Sequence, residues 1–235
     1  YLGWPSSTSH ALIGGLIGAV TVAAGFDTVE VAGLNKVLVA LFLSPVLGLI
    51  VGYLMLKALY FLSRGASPKV NTVFRRGQLV TSLALALSHG TNDAQKTMGI
   101  IAMAMVTTGY TAEFHVPWWV ITMSAGAIAL GTATGGWRLI KTLGGKFFKI
   151  RPIHAFGSQM SSAAIILGAA LLGGPVSTTQ VVSSAIMGAG AADRVSKVRW
   201  TVARDIAVAW VLTIPIAALL AAVLYFVLDL LFWGG

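Results

Sequence analysis

The chain has no cysteine, which excludes a disulfide framework and any thiolate metal site. Charge is scarce as well: Asp, Glu, Lys and Arg make up 10% of 235 residues, and only seven side chains are acidic. No P-loop, His-Glu-x-x-His or Gly-x-Ser-x-Gly elbow occurs, so the common signatures of nucleotide, metalloprotease and serine-hydrolase chemistry are missing. What is present is apolar. At 57% hydrophobic residues and a mean hydropathy of +0.85, the chain has too little polar surface to coat a soluble domain. The expectation is an all-α integral membrane protein with the lipid bilayer as its surroundings.

A net charge of +9 would suit a nucleic-acid partner, but its distribution argues against one. Apart from Lys36, Lys57 and Lys96, every Lys and Arg falls in one of three short segments, residues 64–76, 138–151 and 194–204. Asp27 and Glu30 lie in a loop before the first of them, and Glu113 in a loop between the first and the second. That is the pattern of cytoplasmic loops in a multi-pass inner-membrane protein, and the apolar stretches allow the count to alternate: spans at 36–63, 77–108, 117–137 and 203–232, with short apolar segments at 11–25 and 155–190. The last of these enters and returns on the basic side, as a re-entrant hairpin does. The segment at 1–25 leaves toward the acidic side, inverted with respect to it. Residue 1 is a tyrosine inside a motif, so a fragment, or a natural half-length subunit, is expected.

The span at 77–108 contains Ser88-His89-Gly90-Thr91-Asn92-Asp93-Ala94-Gln95-Lys96-Thr97. An unbroken helix there would run about 48 Å against a hydrocarbon core of about 30 Å, and Gly90 followed by Thr91, Asn92 and Asp93 joins a helix stop to three capping side chains. A discontinuous transmembrane helix is expected, broken near the midplane. Asp and Lys at that depth each cost roughly 2.5–3.5 kcal/mol, which marks a functional position.

A second pattern lies elsewhere. At an offset of 170, Leu2, Gly3, Pro5, Ser7, Thr8, Gly18 and Ala19 match Leu172, Gly173, Pro175, Ser177, Thr178, Gly188 and Ala189. With the opposite entry sides, this is the inverted repeat of a secondary transporter, whose Gly/Pro-interrupted segments mark the binding site. By the same offset the partner of Thr91-Asn92-Asp93 falls before Tyr1.

After each proline a run of hydroxyls opens a helix whose first N–H groups lack partners and carry the positive end of its dipole. Ser6, Ser7, Thr8 and Ser9 on one tip and Ser177, Thr178 and Thr179 on the other could therefore wrap a tetrahedral oxyanion; plain N-capping is the alternative. Asp93 and Asn92 offer oxygens to a sodium ion, or a carboxylate to a proton, with Gln95 beside them. An Asp93–Lys96 ion pair would neutralise both groups and is compatible with either role. Gln95 and Thr97 also suit helix-to-helix hydrogen bonds. His10 and His89 sit near the expected breaks, as proton relays or as structural histidines; His115 and His154 read as plain loop residues.

The run Gly90-Thr91-Asn92-Asp93-Ala94-Gln95-Lys96-Thr97-Met98-Gly99 resembles the Gly-Ala-Asn-Asp signature of the PiT family of inorganic phosphate transporters, in its bacterial form. Pro5-Ser6-Ser7-Thr8-Ser9-His10 and Pro175-Val176-Ser177-Thr178-Thr179-Gln180 look like that family's two hairpin motifs. Thr91 stands where the signature has alanine, and Gln180 where histidine is common. The resemblance implies phosphate import by symport with sodium or protons and no other cofactor. It places phosphate against the Ser/Thr tips, Ser7, Thr8, Ser9, Ser177, Thr178 and Thr179, and has Asn92 and Asp93 serve the anion and coupling-ion sites; the residues themselves add Gln95 to the coupling site and Lys96, His10 and His89 in support. It leaves a homo-oligomer open.

The chain then divides into the end of a first repeat at 1–63, a basic loop at 64–76, and a second repeat at 77–235 with its hairpin at 155–190. A sulfate carrier on the same scaffold and a non-transporting partner or sensor subunit remain the alternatives. A membrane hydrolase using Ser, His and Asp lacks a nucleophile motif.

Overall fold

The computed structural model describes residues 6–232. Among these, eight α-helices follow one another: α1 (Thr8–Ala24), α2 (Val31–Leu62), α3 (Val70–Thr107), α4 (Trp118–Gly135), α5 (Trp137–Lys141), α6 (Pro152–Leu171), α7 (Thr178–Asp193) and α8 (Trp200–Phe232). No strand occurs among the described residues, so the all-α expectation holds. Leu2, Gly3 and Pro5, three positions of the sequence repeat, lie outside them.

Helices α2 and α8 are long and apolar enough to cross a membrane. Helix α7 is the innermost element, with twelve of its sixteen residues buried. By contrast α8 buries Ile206 and Trp210 and turns leucines, valines and phenylalanines outward along its length, a surface suited to lipid.

Close approach of small residues sets the register. A methyl group on Gly14 or Gly18 of α1 would run into the carbonyls of Ile214 or Ala218 of α8. These positions advance together, so α1 and α8 run parallel. In the same way Gly188 of α7 meets the Leu49 carbonyl of α2, and Gly52 of α2 meets Ala185 of α7. Each short helix therefore lies along a long one, α1 on α8 and α7 on α2. The starts of α1 and α7 stand 170 positions apart, as do Pro45 inside α2 and Pro215 inside α8. The proline pair extends the offset beyond the aligned segment, through a span where apolar residues hide the match.

Helix α3 corrects the expected break. It runs unbroken for 38 residues, about 57 Å at ~1.5 Å per residue, straight through Gly90. One glycine costs about 1 kcal/mol in a helix interior, and no proline removes a ladder bond there. Packing along α6 outweighs that cost: Gly77 abuts the Phe156 ring, Gln78 donates to the Pro152 carbonyl at 2.9 Å, and Thr81 donates to Gln159 Oε1 at 2.6 Å. The expected capping side chains point sideways, into contacts with other helices or into solvent. Because α3 starts at Val70, Arg75 and Arg76 stand on its first turns, outside the connecting loop. The segment expected as loop at 138–151 likewise contains most of α5 and a π turn, Thr142–Lys146.

Candidate functional site

The N-termini of α1 and α7 meet, with hydrogen bonds joining the residues that open the two helices. Ser7 caps α1 and accepts from the His10 N–H at 3.2 Å; Ser177 caps α7 and accepts from the Gln180 N–H at 3.4 Å. The Ser177 hydroxyl donates to the Ser7 hydroxyl at 2.8 Å. Ser7 Oγ also lies 2.6 Å from His10 Nδ1. Having accepted from Ser177 and His10 N–H, Ser7 directs its own proton at Nδ1, which places the histidine proton on Nε2. Both caps are buried, and so are His10 Nε2 and Gln180 Oε1, which have no partner among the described residues. His10 and Gln180 are themselves 170 apart, so the same position of each short helix carries an unpaired polar group.

The middle of α3 closes the third side. Asp93 Oδ1 is 3.0 Å from Lys96 Nζ; Asp93 Oδ2 is 3.4 Å from His89 Nε2 and 3.5 Å from the Thr178 hydroxyl. Lys96 also donates to the Val176 carbonyl at 3.0 Å, and the Ser9 hydroxyl donates to that same carbonyl at 3.3 Å. Asn92 is buried beside Asp93, with Oδ1 unpaired among the described residues. A helix turn brings His89, Asp93 and Lys96 to one face because residues three and four apart are neighbours; the hairpin tip at Val176–Thr178 then lies against that face.

The expected residues divide accordingly. Ser7, Ser9, His10, His89, Asn92, Asp93, Lys96, Ser177 and Thr178 stand at or beside the junction. Thr179 is half-buried on the next position of α7. Thr8 is exposed, whereas its counterpart Thr178 is covered by α3. Gln95 is exposed too, pointing away from Asp93 on the helix surface, and Ser6, Thr91 and Thr97 are likewise exposed. The Val176 carbonyl is the group sequence reasoning missed, since a backbone acceptor carries no residue signature.

A second polar cluster, also missed, lies where the basic segments converge. Asp193 at the end of α7 receives Lys197 at 2.6 Å and Arg151 at 3.2 Å, and Tyr60 of α2 donates to it at 3.2 Å. His154, read from sequence as a plain loop residue, is buried in the first turn of α6. Its Nδ1 accepts from the Arg151 N–H at 3.0 Å, so Nε2–H faces the Tyr60 hydroxyl at 3.1 Å. Burial, with the nearby Arg151 charge, lowers its pKa to about 4. For Asp193, partial burial pushes upward, but the Lys197 hydrogen bond and the Arg151 charge outweigh it and hold the carboxyl below its ordinary value. An acid bordering the third basic segment was the available signal.

The model of the phosphate transporter family matches residues 1–221. The chain belongs to that family. A probable low-affinity inorganic phosphate transporter of Bacillus subtilis is 44% identical to this family member over 234 residues, 99% of this chain and 70% of that protein. One of the same description from Rhizobium meliloti is 46% identical over 230 residues, 97% and 69% of the two chains. A solved structure described as the sodium-dependent phosphate transporter superposes with a TM-score of 0.86 at 26% identity, covering 97% of this chain and 74% of that one. The resemblance read from residues 90–99 is thus borne out. These relatives are described as transporters and not as enzymes, in line with the missing hydrolase motifs.

Proposed function

We propose that this phosphate-transporter-family chain serves a secondary active transporter of the inner membrane, importing inorganic phosphate by symport with sodium or protons. The observation that carries the reading is the Ser177–Ser7 hydrogen bond, which joins the N-terminal caps of two short helices. Around it, the first N–H groups of both helices have no partner within their own helix, and their dipoles favour an anion between them.

In this reading α1 with α2 and α7 with α8 are inverted repeats, and α1 and the α6–α7 pair are arms of re-entrant hairpins. The equal offsets of helix starts and interior prolines support it. Phosphate enters between the caps, the Ser7 and Ser177 hydroxyls turn from each other to its oxygens, and Ser9, Thr178 and Thr179 complete the donor set, while Thr8 faces outward. Asn92 supplies its amide, with Oδ1 free to accept from a protonated phosphate oxygen. Asp93 answers the coupling ion. Since α1 rides on α8 and α7 on α2, rocking one pair against the other exposes the junction to one side at a time, as inverted repeats permit.

The test is uptake of labelled phosphate and labelled sulfate into proteoliposomes containing the full-length protein, under separate inward sodium and proton gradients, comparing wild type with Asp93→Asn. Phosphate accumulation that follows one gradient and is lost in Asp93→Asn is expected. Sulfate accumulation in its place moves the substrate to the other tetrahedral oxyanion, and no accumulation of either ends the transport reading.

A further inference from the structure

A coupling cation at Asp93 needs a seat of oxygens: the carboxylate, and carbonyls from neighbouring backbone. Such a seat exists here. Asp93 Oδ1 from α3 and the Val176 carbonyl from the α6–α7 tip converge on one point, and Ser9 of α1 donates its hydroxyl to that same carbonyl. The point is filled by the chain's own ammonium group, Lys96 Nζ, at 3.0 Å from each oxygen. The carboxylate is engaged further: the Thr178 hydroxyl lies 3.4 Å from Oδ1 and 3.5 Å from Oδ2, and His89 Nε2 lies 3.4 Å from Oδ2. Asp93 and Lys96 are mostly buried, their side chains 17% and 19% exposed, so solvent screens the pair only weakly. A sodium ion approaching Asp93 would have to displace a tethered cation of equal charge from both of its oxygens, or sit beside it unbalanced. The residues present therefore do not fit a sodium site at Asp93.

We propose that Lys96 is the resident cation of this seat, a charge-balancing and specificity-determining residue that makes phosphate uptake independent of sodium. The inference rests on the phosphate-transport reading and sharpens its coupling. Asp93 is neutralised by the protein itself, and the ammonium also braces the hairpin tip from below, since it holds the carbonyl immediately preceding the Ser177 cap. Removing the ammonium while keeping a neutral oxygen ligand should open the seat: Lys96→Asn leaves Asp93 and the Val176 carbonyl unpaired, with an amide oxygen nearby. Lys96→Arg keeps a cation and should keep the seat closed.

The experiment measures labelled phosphate uptake by the full-length protein in proteoliposomes, with sodium or choline as the only external monovalent cation at matched ionic strength, with and without an inward proton gradient. Wild type and Lys96→Arg are expected to take up phosphate equally in sodium and choline, within a factor of two. Lys96→Asn is expected to lose at least tenfold in choline and to recover in sodium. Thermal unfolding of the purified proteins gives a readout that does not need transport: sodium in place of choline should raise the midpoint of Lys96→Asn and leave wild type unmoved. Wild-type uptake that collapses in choline, or a wild-type midpoint raised selectively by sodium, overturns the proposal while leaving phosphate transport intact. Absence of phosphate uptake by wild type under every gradient overturns the transport reading, and this inference with it.

Discussion

The Ser7 hydroxyl accepts from Ser177 and from the His10 N–H and lies against His10 Nδ1, so one oxygen holds the α1 cap and the junction together. Ser7→Ala is expected to cost about 0.5–2 kcal/mol of stability, the usual range for a lost N-cap, and to raise the KM for phosphate more than it lowers kcat; Ser7→Thr should restore both. Thermal unfolding and concentration-dependent uptake check this. His154 governs a different property. Its folded pKa of about 4 lies below the ordinary 6.5, so between those values the unfolded chain binds a proton that the folded chain refuses. Stability should be fully present above pH 6.5 and decline as pH falls toward 4, and His154→Gln should flatten that slope in unfolding midpoints measured across the window. Asp193, held below its own ordinary value, gives up its contribution only at more acid pH. The cap hydroxyls and Asp93 were legible in the sequence because their residue types announce them. The role of His154 was not, because it depends on Tyr60 and Asp193, 94 residues before it and 39 after it, converging on one ring.

Among the elements, glycines that look alike in sequence separate by what surrounds them. A methyl group on Gly188 meets the Leu49 carbonyl and the Tyr53 amide of α2. Gly188→Ala should therefore destabilise by about 1–3 kcal/mol, the range for overpacking a close contact. Nothing lies within 4 Å of a methyl group on Gly90, so Gly90→Ala should stabilise α3 by up to about 1 kcal/mol. Unfolding midpoints of the two variants in the same detergent are expected to move in opposite directions. The expected break at Gly90 came from local rules, a helix stop followed by cap formers. Those rules are worth about a kilocalorie, and α3 is held by a long parallel seam with α6 that no window of sequence around Gly90 contains.

For the whole molecule, the three basic segments gather at one end: Tyr60 and Arg151 meet at Asp193, the Arg199 N–H donates to the Phe147 carbonyl at 3.0 Å, and Gln78 reaches Pro152. The absence of cysteine makes their sidedness directly measurable. Single cysteines placed at the exposed positions Ala66 and Ser196 should react with a membrane-impermeant thiol reagent only from the cytoplasmic side, and those at Thr28 and Ala112 only from outside; the reverse pattern would invert the topology. By itself the sequence determined the helical class, the end on which the charges gather, the hydroxyl-bearing tips and the family, because composition, charge order and short motifs are local and survive without contacts. Tertiary structure alone decided that α3 runs unbroken, that Gln95 and Thr8 turn outward, and that Lys96 bridges Asp93 to Val176. Each of those outcomes is set by which helix lies alongside, and the energies of that packing exceed the local preferences that a sequence displays.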